Sequence, residues 1–98
     1  MAKFEKIENT KGQYQFYCKG CDMFHDVWTE NEGYEHPIWD FNQDIDKPTI
    51  SPSIFVYTYT NQKCHSFIKN GMIQYLNDCT HELKNQTIEL PDITEDNF

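Results

Sequence analysis

The sequence predicts a small antiparallel β domain, mainly β or α+β with minimal helix, built from hairpins. Three observations carry that expectation. Aromatic residues make up 15% of the chain and leucine occurs only at Leu76, Leu83 and Leu90, a bias toward side chains that pack on a pleated surface. Asn70-Gly71 stands between two apolar-rich runs, a strong hairpin signal, because a type I′ turn needs positive φ at both central residues. Finally, 4 cysteines and 4 histidines share only 98 residues, a length at which a domain often needs a metal, a disulfide or a partner.

The elements follow in order. "KFEKIE" and "QYQFY" flank Lys11-Gly12 and read as a first hairpin. "MFHDVWT" alternates as a third strand, with Met23, His25 and Val27 on one face and Phe24, Asp26 and Trp28 on the other. "ENEGYEHP" is a polar loop and "IWDF" a short strand. "NQDIDKPTISPS" carries Pro48 and Pro52 and reads as an ordered loop or edge, since proline removes a ladder donor. "SIFVYTYT" alternates as a strand, and residues 64–69 and 72–76 should pair across Asn70-Gly71. "DCTHELKNQ" suggests a turn and one helical turn capped by Asp78 or Thr80. "TIEL" is a last strand. Residues 1–92 thus form a single domain, and 93–98 an acidic, frayed tail.

The charge is lopsided, with 16 acidic residues against 8 basic ones, all lysine. Phosphate recognition favours a basic patch and the arginine fork, so direct nucleic-acid binding is not expected. An acidic face suits a basic protein partner. No apolar run approaches a membrane span, and "MAKFEKIENT" has no apolar core of a signal peptide. The expected location is the cytoplasm, where thiols stay reduced.

Reduced cysteines point to metal binding ahead of a disulfide framework or a redox pair, with Cys64 and Cys79 as buried core thiols the alternative. Cys18-x₂-Cys21 has zinc-knuckle spacing, with Gly20 placed to ease the turn. Cys64-His65 and Cys79-x-His81 are joined by the hairpin, so Cys64 and residues 77–81 should be neighbours. Adjacent strand residues point to opposite faces, so Cys64 and His65 should not both ligate. The expected set is Cys18, Cys21, Cys64 and His81 around a structural zinc, with His65 or Cys79 as the second choice. His25 reads as packed or exposed rather than ligating, and His36 as a surface residue.

Enzyme patterns are sparse. His81-Glu82 lacks the second histidine of a zincin helix, and no HxE accompanies the knuckle as in zinc deaminases. A cysteine or serine nucleophile with a histidine base, such as Cys79 with His65, has no support from spacing. Asp78 near a metal-bound water is the remaining catalytic possibility.

"CKGC", "WDFNQDIDKPTISPSIFVYT" and "KCHSFIKNGMIQYLNDCTHELKNQTIELPD" resemble a family of small phage and prophage proteins of unknown function often labelled ammonia monooxygenase. The similarity covers roughly residues 16–92. This chain has Gln43 where that family has glycine, and Cys79 where it often has serine, which favours His81 with Cys64 or His65 as ligands. The label does not fit, because an ammonia monooxygenase is a membrane copper enzyme. Relatives are also similar to a small metal-binding component encoded beside bacterial ubiquitin-like conjugation systems, which implies work on proteins.

The combined expectation is a zinc-stabilised, phage-type protein-interaction module in the host cytoplasm, more binding protein than enzyme, acting as an inhibitor of a host defence system. A small metal-dependent hydrolase or nucleotide-handling enzyme is the alternative. Trp39, Asn42, Asp44, Thr49 and Ser51 form the expected interaction surface, and an aromatic edge could also join copies into a homo-oligomer.

Overall fold

The computed structural model describes residues 2–93. Among them there is no helix, and two antiparallel sheets account for the regular structure. The first sheet joins β1 (Glu5–Lys6), β2 (Gln13–Cys18) and β3 (Met23–Trp28) in that order. The second joins β4 (Asp40–Phe41), β5 (Ile50–Tyr57), β6 (Lys63–Lys69), β7 (Met72–Tyr75) and β8 (Thr87–Glu89), again in chain order. No helix among the described residues is long and apolar enough to cross a membrane.

Each sheet turns one face inward. On β3, His25 and Val27 are buried while Phe24 and Asp26 face out. On β6, Cys64, Ser66 and Ile68 are buried while Lys63, Phe67 and Lys69 are exposed. The inward residues meet in one core that includes Phe4, Phe16, Ile54, Ile73, Tyr75 and Leu90. Phe4 stacks on Phe16 with ring centroids 5.6 Å apart. Burying each ring contributes roughly 1.5–3 kcal/mol.

The hairpin turn is as its residues require, with φ of 51° at Asn70 and 78° at Gly71. It fixes the register Ser66↔Tyr75 and Ile68↔Ile73.

Two expectations need correcting. The segment after β7 makes turns, not a helical turn. Thr80 is tied to Lys63 at the start of β6, accepting its amide at the hydroxyl and donating its own amide to the carbonyl, so strand-edge pairing overrides local helix formation. Pro52 lies inside β5 rather than in a loop before it. The ladder is irregular there: Ile50 pairs with Ile68 and Ile54 with Ser66, so residues 51–53 stand opposite Phe67 alone. A bulge of this kind tolerates the missing proline donor. At the end of the described residues the Ile93 amide bonds the Ala2 carbonyl at 2.7 Å. Residues 94–98 lie outside the described residues.

Candidate functional site

The buried side of the molecule gathers thiols and imidazoles from four places. β2 ends at Cys18 and its knuckle supplies Cys21; β3 supplies His25; β6 supplies Cys64; the segment after β7 supplies Cys79 and His81. All six are buried. Donor atoms of Cys18, Cys21, His25 and Cys64 lie within 4.8 Å of one another, and so do those of Cys64, Cys79 and His81. Cys64 belongs to both groups. Of the expected ligands, Cys18, Cys21 and Cys64 come together as anticipated, but His25 rather than His81 completes the four-donor group. His81 stands with Cys64 and Cys79. The alternation of buried positions along β3 was the signal that could have promoted His25.

These residues fit a divalent ion on their own chemistry. The Cys18 and Cys64 sulfurs are 3.7 Å apart, about the edge of a tetrahedron with metal–sulfur bonds of ~2.3 Å. His25 Nε2 and His81 Nε2 are buried with no hydrogen-bond partner, and such orphans are uncommon in folded proteins. Cys79 differs: its sulfur accepts the His65 amide at 3.3 Å and, as a thiol, donates to the His65 carbonyl at 3.2 Å.

Electrostatics point the same way. The hydrogen bond from Cys64, aided by His25 and Tyr75 against the cost of burial, pulls the Cys18 thiol down to about 3. Burial and then the Cys18 charge push Cys21 up to about 12. The hydrogen bond to Cys18, with burial, pushes Cys64 up as well. Once one thiol of the cluster ionises, its neighbours resist a second negative charge. Burial lowers the His81 pKa and keeps its imidazole neutral; its Nδ1 accepts the Leu83 amide at 3.2 Å, which places the ring proton on Nε2. The Cys21 amide donates to the Cys18 sulfur at 3.4 Å, and the Gly20 amide to the Tyr75 hydroxyl at 3.3 Å. Gly20 serves close approach rather than turn geometry. A Cβ there would lie 2.4 Å from the His81 ring, while the left-handed residue of the knuckle is Asp22, with φ 56°.

The outward side of the second sheet holds a different constellation. His65, next to Cys64 on β6, points away from the cluster. Its Nε2 lies 2.9 Å from the Ser53 hydroxyl. Its Nδ1 lies 2.9 Å from Asp78 Oδ2 and 3.2 Å from Oδ1. With Nδ1 donating to the carboxylate, Nε2 is free to accept the Ser53 proton. Ser53 sits in the bulge of β5, which aims its side chain over β6. The ring of Phe55 packs edge-on against His65, with centroids 5.4 Å apart. The Leu76 amide bonds the His65 carbonyl at 2.9 Å and so brings the Asp78 turn alongside. Nucleophile, base and orienting carboxylate are thus linked in one line, the arrangement that activates a serine toward carbonyl carbon. His65, a second-choice metal ligand by sequence, belongs to neither metal-type group.

The expected interaction surface divides. Asn42 accepts the Asp44 and Thr49 amides and donates to the Lys47 carbonyl. Asp44 accepts the Asp46 and Lys47 amides. Both side chains hold the loop before β5. The Thr49 hydroxyl accepts the Asn70 amide at 2.8 Å. Trp39 is half-buried against the core and donates to the Ser53 carbonyl at 3.3 Å. Ser51 is exposed beside the bulge. His36 stacks on Trp28, with centroids 5.3 Å apart.

A small all-β frame with a buried cysteine–histidine cluster and a surface serine–histidine–aspartate line is the class these observations define. Residues 3–76 match the family described as bacterial ubiquitination-like system serine protease (BubE), and the chain belongs to that family. No curated protein and no solved structure matches it.

Proposed function

We propose that the chain is a serine hydrolase of a bacterial ubiquitination-like system, cutting an amide or ester bond in a protein substrate in the cytoplasm. The observation that carries this reading is the continuous hydrogen-bonded line Ser53–His65–Asp78, held on two strands and a turn. The family description, with its serine protease and its ubiquitination-like system, supports it independently. Ser53 Oγ attacks the substrate carbonyl while His65 Nε2 takes its proton. The imidazolium, stabilised by Asp78, passes that proton to the leaving amine or alcohol. Water then attacks the acyl-Ser53 ester, its proton taken by His65 and returned to Ser53 Oγ, and releases the acid. An interaction module acting on host defence would use the acidic surface but leaves this alignment without a purpose.

Zinc fits the thiol-rich cluster as a structural ion. Cys18, Cys21, Cys64 and His25 are the set favoured by proximity, and His81 is the alternative fourth ligand, whose Nε2 would ligate only once its proton is lost or moved to Nδ1 at the expense of the Leu83 hydrogen bond. No substrate step runs through it.

The deciding experiment labels purified protein with a fluorophosphonate probe. Covalent attachment at Ser53, lost in Ser53→Ala and His65→Ala while both variants keep the wild-type melting point, is the expected result. Absence of labelling in correctly folded wild-type protein overturns the hydrolase reading.

A further inference from the structure

The outward face of the second sheet continues past the triad toward the Asn70-Gly71 turn. Phe67 is the next outward residue after His65 on β6, and it stands opposite Gln74 on β7. Met72 follows on β7 opposite Lys69. Together with Ser51 these side chains line a groove of about 480 Å³. Phe67 and Met72 are 44% and 38% exposed, so two large apolar side chains lie uncovered side by side.

The groove is continuous with the reacting centre at both strands. Ser51 and Ser53 flank Pro52 in the same bulge, opposite Phe67. Gln74 lines this groove and also the cleft that contains His65 and Asp78. The two flanks of the triad differ in chemistry. Beyond Asp78 the cleft mixes Asn77 and Asn85 with Tyr75 and Leu76, whereas the groove is walled chiefly by Phe67, Met72, Ile50 and Ile68, with Thr49, Asn70 and Thr87 at its margin. Among the described residues its only charged wall is Lys69, in a chain of net charge −8.

We infer that this groove is the specificity subsite of the hydrolase, receiving an apolar side chain of the substrate protein next to the bond that is cut and rejecting a basic one. The inference rests on Ser53, His65 and Asp78 being the reacting centre. A carbonyl carbon placed on Ser53 Oγ leaves a neighbouring residue of an extended substrate over Phe67. Apolar contact with Phe67 and Met72 rewards an aliphatic or aromatic side chain there. Lys69 repels a lysine or arginine, which supplies discrimination that apolar contact alone does not.

Two arms test it. Hydrolysis is measured on the p-nitrophenyl esters of N-acetyl-leucine, N-acetyl-glycine and N-acetyl-lysine. The leucine ester should exceed the glycine ester in kcat/KM by about tenfold or more, with the lysine ester lowest. Phe67→Ser and Met72→Asp should each collapse the leucine-to-glycine ratio toward one, and Lys69→Glu should raise the lysine ester above the glycine ester. Equal leucine and glycine rates in wild-type protein overturn the inference. Binding is measured separately in the Ser53→Ala variant, by NMR titration with N-acetyl-leucine methylamide. Shifts concentrated at Phe67 and Met72, absent with the glycine analogue, support the groove even where no ester is turned over. Failure of hydrolysis with those shifts present would sink the triad and keep the binding site. Shifts elsewhere, or none, would sink the subsite itself.

Discussion

The two faces of β6 do opposite work. Inward, Cys64 shares a buried cluster in which the Nε2 atoms of His25 and His81 lack hydrogen-bond partners and ionising one thiol hinders the next. Outward, His65 has both ring nitrogens engaged, by Ser53 and Asp78, in half-exposed surroundings. The inner face gathers donors that could hold a cation; the outer face links three groups in one hydrogen-bonded line. Yet the two are one residue apart along the chain, and so are Asp78 and Cys79. Two of the three triad members thus adjoin cluster members, and Cys79 clasps both the amide and the carbonyl of His65. The frame and the chemistry are adjacent residues of β6 and of the turn after β7, so whatever orders the inner face there also sets the spacing of His65 and Asp78.

The largest expected effect separates the faces most cleanly. Ser53→Ala should lower hydrolysis by about 10⁴-fold or more, the scale seen when a triad nucleophile is removed. Thermal unfolding should not change, because Ser53 gives the core little. A comparable loss of melting temperature would mean that Ser53 is structural.

Cluster variants should show the reverse order, with stability lost first and activity lost as a consequence. Loss of a bound metal is among the changes that exceed about 4 kcal/mol, a midpoint drop of roughly 16 °C or more for a chain of this size. Cys64→Ser, or treatment with a strong chelator, should reach it, and restoring zinc to chelated protein should return both the melting point and fluorophosphonate labelling. Cys79→Ser should cost much less, about 1 kcal/mol, because its sulfur bonds only backbone groups. Metal analysis of His25→Ala and His81→Ala then decides the fourth ligand: the true one loses stoichiometric metal. Indifference of the wild-type melting curve to chelation would remove the metal from the comparison altogether.

Much of the inner face is legible in the sequence. The CxxC spacing, the Asn-Gly turn and period-2 alternation place Cys18, Cys21 and Cys64 together before any coordinates. The outer face is harder, for physical reasons. Ser53 lies in a proline-containing stretch whose bulge resets the register, and alternation does not forecast where a bulged side chain points. Asp78 reaches His65 only because the segment after β7 folds back along β6 instead of starting a helix. One signal was available. The hairpin register that makes Cys64 a neighbour of residues 77–81 also makes His65 one, and applying it to the outward residues would have paired His65 with Asp78.

Gly20→Ala probes the inner face without touching a donor atom. The added Cβ would stand 2.4 Å from the His81 ring. That ring is buried against Tyr75, with centroids 4.6 Å apart, and has little room to retreat. Overpacking of this kind costs about 1–3 kcal/mol. A melting point lowered by roughly 4 °C or more, at 4–8 °C per kcal/mol, with Ser53 labelling intact, would keep the faces distinct. An unchanged melting point would mean that His81 is mobile and not part of the frame.

The smallest effect lies away from both faces and calibrates them. The Lys3 ammonium is buried and bonds the Leu90 carbonyl and the Asp92 carboxylate, each at 2.8 Å, and Glu89 at 3.4 Å. Burial alone would lower its pKa, but the hydrogen bonds and charges of Asp92 and Glu89 outweigh it and raise it above 10.5. That stabilisation is fully present below pH 10.5 and is lost as pH rises through the raised folded value. The Asp92 carboxyl is lowered from 3.8, chiefly by the hydrogen bond from Lys3, so its share is present above pH 3.8 and is lost as pH falls through the folded value. The melting-point gap between wild-type protein and Lys3→Met should therefore be a plateau between those limits and narrow on both sides. A gap that instead changes across the neutral range would have to come from groups elsewhere in the molecule, and comparing it in Ser53→Ala and Cys64→Ser backgrounds would show to which face they belong.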